Sequence, residues 1–168
     1  DERPIFYTAF HCQMHDFPVN CRVYFNFQNA TCREPGSGSS AGSGTCGNID
    51  TGGFGCNTQT ISGVTVLATQ QNADCVLTEL SSAIPDAWEV VYLGWSVAET
   101  PPTPTPAAPA ASIHHPGVEE KRIAFENDFI TKQAISIGFT VNAWAIDFDN
   151  GGLEGGSSGS PLFDPNHR

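Results

Sequence analysis

Short runs of β-branched and aromatic residues, each bounded by glycine, proline, asparagine or serine, recur along this chain. That recurrence constrains the fold more than any other feature, because it is the pattern of strands joined by turns. Ile5-Phe6-Tyr7-Thr8-Ala9 reads as a strand running into a turn at His11-Cys12. Residues 22–27 read as a strand with Val23, Phe25 and Phe27 on one face and Tyr24 on the other. Further strands are expected at 61–68, 76–80, 123–125, 135–141 and 144–148, with a buried one at 89–95. No repeat or heptad is visible, so the expectation is an all-β protein with little helix.

Two biased segments interrupt the pattern. Residues 36–44 form a Gly/Ser loop too polar to pack. Residues 100–111, TPPTPTPAAPAA, favour extended polyproline and cannot enter a sheet interior. They divide the chain into a first β unit at 1–99, an inter-unit loop at 100–111 and a second β unit at 112–168. A chain of 168 residues, 39% of them hydrophobic, is long enough to bury a core in one domain or two small subdomains.

Charge excludes some partners. A net charge of −11 with no basic stripe argues against nucleic acid and gives no reason to expect anionic membranes. No apolar run is long enough to span a bilayer. The six cysteines, at 12, 21, 32, 46, 56 and 75, sit in Gly/Ser-rich surroundings without matched CxxC and histidine spacing. That favours disulfides over zinc, with Cys46 and Cys56 the nearest local pair. Low charge, one methionine and these cysteines point to a secreted protein. The abrupt ends read as those of an excerpt from an exported precursor, with any targeting signal outside it.

Three segments carry chemistry. In Gly155-Gly156-Ser157-Ser158-Gly159-Ser160-Pro161, glycines flank a serine on a tight loop, the setting a nucleophile needs. The backbone N–H groups of Gly156 and Ser158 are candidates for an oxyanion hole. His11, in Thr8-Ala9-Phe10-His11-Cys12, has the side chain for a general base. Asp74 directly precedes an apolar strand, where a carboxylate can orient that imidazole. The order His, Asp, Ser is the chymotrypsin order, unlike those of the subtilisins and α/β-hydrolases. Each residue also has a plainer reading: a strand-end histidine, a turn aspartate, a linker serine. Asp50, Asp86, Asp128, Asp147 and Asp149 compete with Asp74, but none has its context. His114-His115 lacks a carboxylate or cysteine at diagnostic spacing and reads as structural, so no metal is expected. Trp95 is a candidate for the edge of a substrate cleft. Asn29-Ala30-Thr31 is a glycosylation sequon.

With these residues in place the chain resembles the lysyl-endopeptidase group of secreted, mainly bacterial, trypsin-like serine peptidases. Residues 6–12 are similar to that group's histidine motif, 23–32 to the strand and cysteine that follow, and 72–80 to its aspartate motif. Ile113-His114-His115-Pro116 with Glu120-Lys121-Arg122-Ile123 resembles the first strand of its second barrel, and residues 156–161 match its serine motif. The resemblance implies two antiparallel Greek-key β-barrels, both incomplete here, with the triad between them. It also implies a cysteine bridged to the position of Cys12, which nothing in this chain supplies. Cys21, Cys46, Cys56 and Cys75 match no family cysteine and suggest a private disulfide set. In vertebrate zymogens of this fold an aspartate stands at the position of Ser157; the serine implies activation without that buried ion pair.

The resulting expectation is a monomeric, secreted serine endopeptidase acting on proteins or peptides through an acyl-enzyme, without metal or organic cofactor. The resemblance implies cleavage after lysine or another basic residue, with the pocket floor beyond Arg168. As an excerpt, the chain is expected to be inactive. Two other readings stand beside it: a noncatalytic protease-like domain binding proteins or glycans, and a β-sandwich binding module.

Overall fold

A computed structural model describes residues 3–28, 59–96, 99–136 and 138–166. The fold is all-β, and every strand pairing within it is antiparallel. Strands β1 (Ile5–Thr8), β2 (Arg22–Tyr24), β3 (Thr60–Ser62), β4 (Val64–Gln70) and β5 (Cys75–Leu80) precede the proline-rich segment. Strands β6 (Ala110–His114), β7 (Arg122–Glu126), β8 (Thr131–Ser136), β9 (Thr140–Ala145) and β10 (Leu162–Phe163) follow it. They form sheets in the orders β1-β5-β4, β2-β3, β10-β6-β7 and β8-β9, with no closed barrel among the described residues. Helical structure there is confined to single 3-10 turns, and no helix among the described residues is long and apolar enough to cross a membrane.

Period-2 patterning explains the best-formed strand. Along β5, Val76, Thr78 and Leu80 point inward and are buried, while their neighbours are partly exposed. Thr78 is the polar exception, and its hydroxyl donates to Phe6 O at 3.1 Å, so burial leaves no orphan. Val23, Ile61 and Leu80 form a buried cluster, with Phe6, Phe25, Val64 and Trp88 packed against it.

Several expected strands are shorter or divided. Residues 22–27 are a strand only to Tyr24, because Asn26 adopts a left-handed conformation with φ 52°. The 61–68 run is split at Gly63 into β3 and β4. The 135–141 run is a hairpin, β8 and β9, reversing around Gly138; alternation alone cannot distinguish one strand from two joined by a tight turn. The 144–148 run ends its pairing at Ala145. At the end of the proline-rich segment, Ala110 and Ala111 belong to β6. The alanines retain the N–H groups that proline lacks.

The 89–95 segment is corrected more fundamentally. It forms no strand, and Val91, Tyr92, Leu93 and Trp95 lie exposed, Trp95 at 88%. An apolar run reads as buried only where a ladder partner exists, and none of the described strands pairs with it.

The disulfide expectation is not met among the described residues. Cys12, Cys21 and Cys75 are free thiols. Cys32, Cys46 and Cys56, the 36–44 loop, the sequon at 29–31 and Asp50 lie outside the described residues.

Candidate active site

The first sheet delivers two of the three expected residues. β1 ends at Thr8 and passes into a 3-10 turn at Phe10–Cys12 that carries His11. Immediately before the adjacent β5, a 3-10 turn at Gln71–Ala73 ends at Asp74, whose φ of 49° is left-handed. Aspartate tolerates that conformation better than most residues. Because β1 pairs with β5 with Thr8 opposite Val76, the ends bearing His11 and Asp74 fall side by side.

The contact between them is two-pronged. Asp74 Oδ1 accepts the backbone N–H of His11 at 2.9 Å, and Asp74 Oδ2 lies 2.7 Å from His11 Nδ1. On the other edge of the imidazole, Nε2 lies 2.7 Å from Ser158 Oγ. An Asp–His–Ser hydrogen-bonded chain thus runs across three segments far apart in sequence. Asp74 is partly buried, whereas His11 and Ser158 are exposed and open to a substrate.

Two glycines shape the serine loop. Gly156 has φ +96°, and a Cβ there would lie 2.7 Å from Val118 N and 3.0 Å from His115 O. Gly159 has φ +84°, and a Cβ there would lie 2.5 Å from Thr8 Oγ1 and 2.9 Å from Ala9 N. Gly159 thus seats the loop against the end of β1, beside His11. Gly159→Ala is expected to lower stability by about 2–4 kcal/mol, from left-handed strain plus overpacking. A urea unfolding midpoint equal to that of the wild type would contradict this account of the loop.

Gly155 O accepts the N–H of Gly117 at 2.8 Å, tying the loop to the turn that follows β6. Among the described residues, the N–H groups of Gly156 and Ser158 donate to no protein acceptor. A group that develops negative charge there would find free donors.

Two side chains near this centre make contacts that sequence reasoning did not foresee. Ser157 is buried and its hydroxyl lies 2.9 Å from His114 Nδ1. The signal was the alternation of β6, where Ala110, Ser112 and His114 all face inward. Tyr7 lies near Asp74 and Cys75; its pKa is pushed up to about 12, by burial first and then by Cys75 and Asp74. It therefore stays protonated at neutral pH. Trp95 forms no hydrogen bond or ring contact among the described residues.

Two hollows lie in this part of the molecule. One of about 290 Å³ is lined by Cys12, Gln13, Met14, Phe17 and Arg22. The other, of about 230 Å³, lies behind Asp74 between Tyr7, Val141, Gly159 and Ser160. Trp95 lines neither.

A family model described as the lysyl endopeptidase C-terminal domain matches residues 1–168. Among solved structures, the chain is similar to the Rv3671c protease of M. tuberculosis H37Rv, a serine-to-alanine mutant in an inactive form. Identity is 14%, the match covers 67% of this chain and 56% of that one, and the TM-score is 0.43. A second structure of the Rv3671c protease, also in an inactive form, matches at 16% identity over 67% of this chain and 58% of that one, with a TM-score of 0.45. The chain therefore spans little more than half the length of those proteins. Matched along its whole length by the family model, the chain belongs to the lysyl endopeptidase C-terminal domain family.

Proposed function

We propose that the full-length protein is a secreted, monomeric serine endopeptidase that hydrolyses protein or peptide substrates after lysine or another basic residue. The observation that carries this reading is the Asp74–His11–Ser158 hydrogen-bonded chain, with both side-chain contacts at 2.7 Å. The units at 1–99 and 112–168 serve as the two walls that bring its parts together, His11 and Asp74 from the first and Ser158 from the second.

In the reaction, Ser158 Oγ attacks the scissile carbonyl carbon while its proton passes to His11 Nε2. The N–H groups of Gly156 and Ser158 bind the oxyanion, each such donor typically contributing about 10²–10³ in rate. As the tetrahedral intermediate collapses, the C–N bond breaks and His11 returns its proton to the leaving amine. Water then gives a proton to His11 and attacks the ester; the C–O bond to Ser158 breaks, and the proton returns to Oγ. Asp74 holds the Nδ1–H tautomer and stabilises the imidazolium. No metal or organic cofactor enters these steps.

A serine-directed fluorophosphonate probe tests the reading on the full-length protein. Wild type is expected to label stoichiometrically, and Ser158→Ala and His11→Ala not at all. Folded wild-type protein that resists labelling would favour a noncatalytic binding domain instead.

A further inference from the structure

The turns that carry His11 and Asp74 are built alike. Each is a single 3-10 turn, Phe10–Cys12 and Gln71–Ala73, with no buried residue of its own and no side-chain cap. Each ends on a left-handed residue other than glycine, Gln13 at φ 58° and Asp74 at φ 49°. A lone 3-10 turn makes few hydrogen bonds, and those have poor geometry. With a left-handed residue at its end, it keeps its shape only where the surroundings hold it.

The same neighbour leans on both turns. The β8–β9 hairpin, from the second unit, packs β9 against the Gln71–Ala73 turn. Val141, Asn142 and Ala143 of β9 share a hollow with Asp74. In the turn of that hairpin, just before β9, Phe139 meets Phe10 with ring centroids 5.9 Å apart and planes at 88°. That is the edge-to-face arrangement favoured by aromatic quadrupoles. Phe10 also stacks on His15 at 4.2 Å, but His15 belongs to the same loop and cannot fix it from outside. Among the described residues, Phe139 is the ring that reaches Phe10 from the second unit.

Phe10 immediately precedes His11. Because His11 comes from the first unit and Ser158 from the second, the 2.7 Å contact between Nε2 and Oγ depends on how the units meet here. Gly159 against Thr8 fixes the serine side of that junction. The Phe139–Phe10 contact lies on the histidine side.

We propose that Phe139 is a positioning residue for His11: its ring clamps Phe10 and so holds the imidazole in line with Ser158. The proposal rests on the serine-peptidase reading above and deepens it. Phe139 acts through Phe10 and takes no part in the bond changes. Its loss lets the His11 turn shift and lengthens the path for the serine proton, so the effect falls on kcat rather than on KM.

The test uses the full-length protein and the variants Phe139→Ala, Phe139→Leu, Phe139→Tyr, Phe10→Leu and the double leucine variant. The readouts are kcat and KM for a lysyl ester and the rate of fluorophosphonate labelling, with the urea midpoint as the check on folding. Phe139→Ala is expected to lower kcat and the labelling rate together by about 10–100-fold with KM within about threefold, as for a misplaced reacting group. Leucine keeps apolar volume but has no ring edge, and should cost about 3–10-fold, whereas tyrosine restores the ring and should bring the rate back to within about twofold of wild type. The double leucine variant should be no slower than the slower single one, because the contact is already lost. Phe139→Leu at the wild-type rate, Phe139→Tyr as slow as Phe139→Ala, a loss confined to KM, or additive losses in the double variant each overturn the proposal. Should Phe139→Ala not fold, the comparison of leucine with tyrosine decides alone. Absence of labelling in folded wild type removes the serine-peptidase reading and this proposal with it; normal labelling of wild type with every Phe139 variant equally fast removes this proposal only.

Discussion

Ser158→Ala in the full-length protein is expected to lower kcat by about 10⁶, and His11→Ala and the double variant by about the same amount. The equality is the sharper part of the expectation. With Nε2 and Oγ 2.7 Å apart, the serine proton has one place to go, and removing either partner stops the same transfer. Losses of groups that act as a unit are not additive. What should remain is catalysis from substrate binding and the loop N–H groups, about 10³–10⁴ over water. Single-turnover kinetics on a lysyl ester would measure it, with KM as the control for binding. A double variant about 10⁶-fold worse than either single one would show that His11 and Ser158 act independently.

Asp74→Asn is expected to lower kcat by about 10⁴ at neutral pH without loss of the fold. The fold should survive because Asp74 occupies a left-handed turn position that asparagine also tolerates. The chemistry should not, for a reason visible in the geometry. The backbone N–H of His11, 2.9 Å from Oδ1, requires an oxygen, so the amide oxygen must take that place. The amide nitrogen then faces Nδ1, forcing that atom to accept a hydrogen bond and moving the ring proton to Nε2. An Nε2–H pointing at Ser158 Oγ cannot receive its proton. The checks are kcat against wild type and an unchanged urea midpoint; a loss smaller than about 10-fold would mean that Asp74 does not govern the tautomer.

Local residue choice carried much of this molecule. The strand expected at 76–80 forms as β5, and the structure buries Val76, Thr78 and Leu80 along it. The contexts of His11, Asp74 and Ser158 singled out three positions that the structure sets within hydrogen-bonding distance. Where a run lacked a partner, the same reasoning misled. Residues 89–95 carry strand-like apolar content, yet Val91 and Leu93 are exposed, because burial depends on a neighbour and composition records none. Runs 61–68 and 135–141 were each one apolar stretch in sequence and two strands in space, since a period of two survives a tight turn.

By itself the sequence determined the chain's β character, the glycines that force the serine loop into its turn, and the identities of the three side chains proposed to react. These follow from properties local to a few residues: side-chain shape, backbone freedom and the chemistry of an imidazole, a carboxylate and a hydroxyl. Only the tertiary structure decided that Asp74 grips His11 at two points, that Gly159 seats against Thr8, and that Ser157 is anchored by His114 rather than by an acidic partner. Each is a contact between segments tens of residues apart, fixed by which strands pair and in what register, and no short stretch of sequence carries that information.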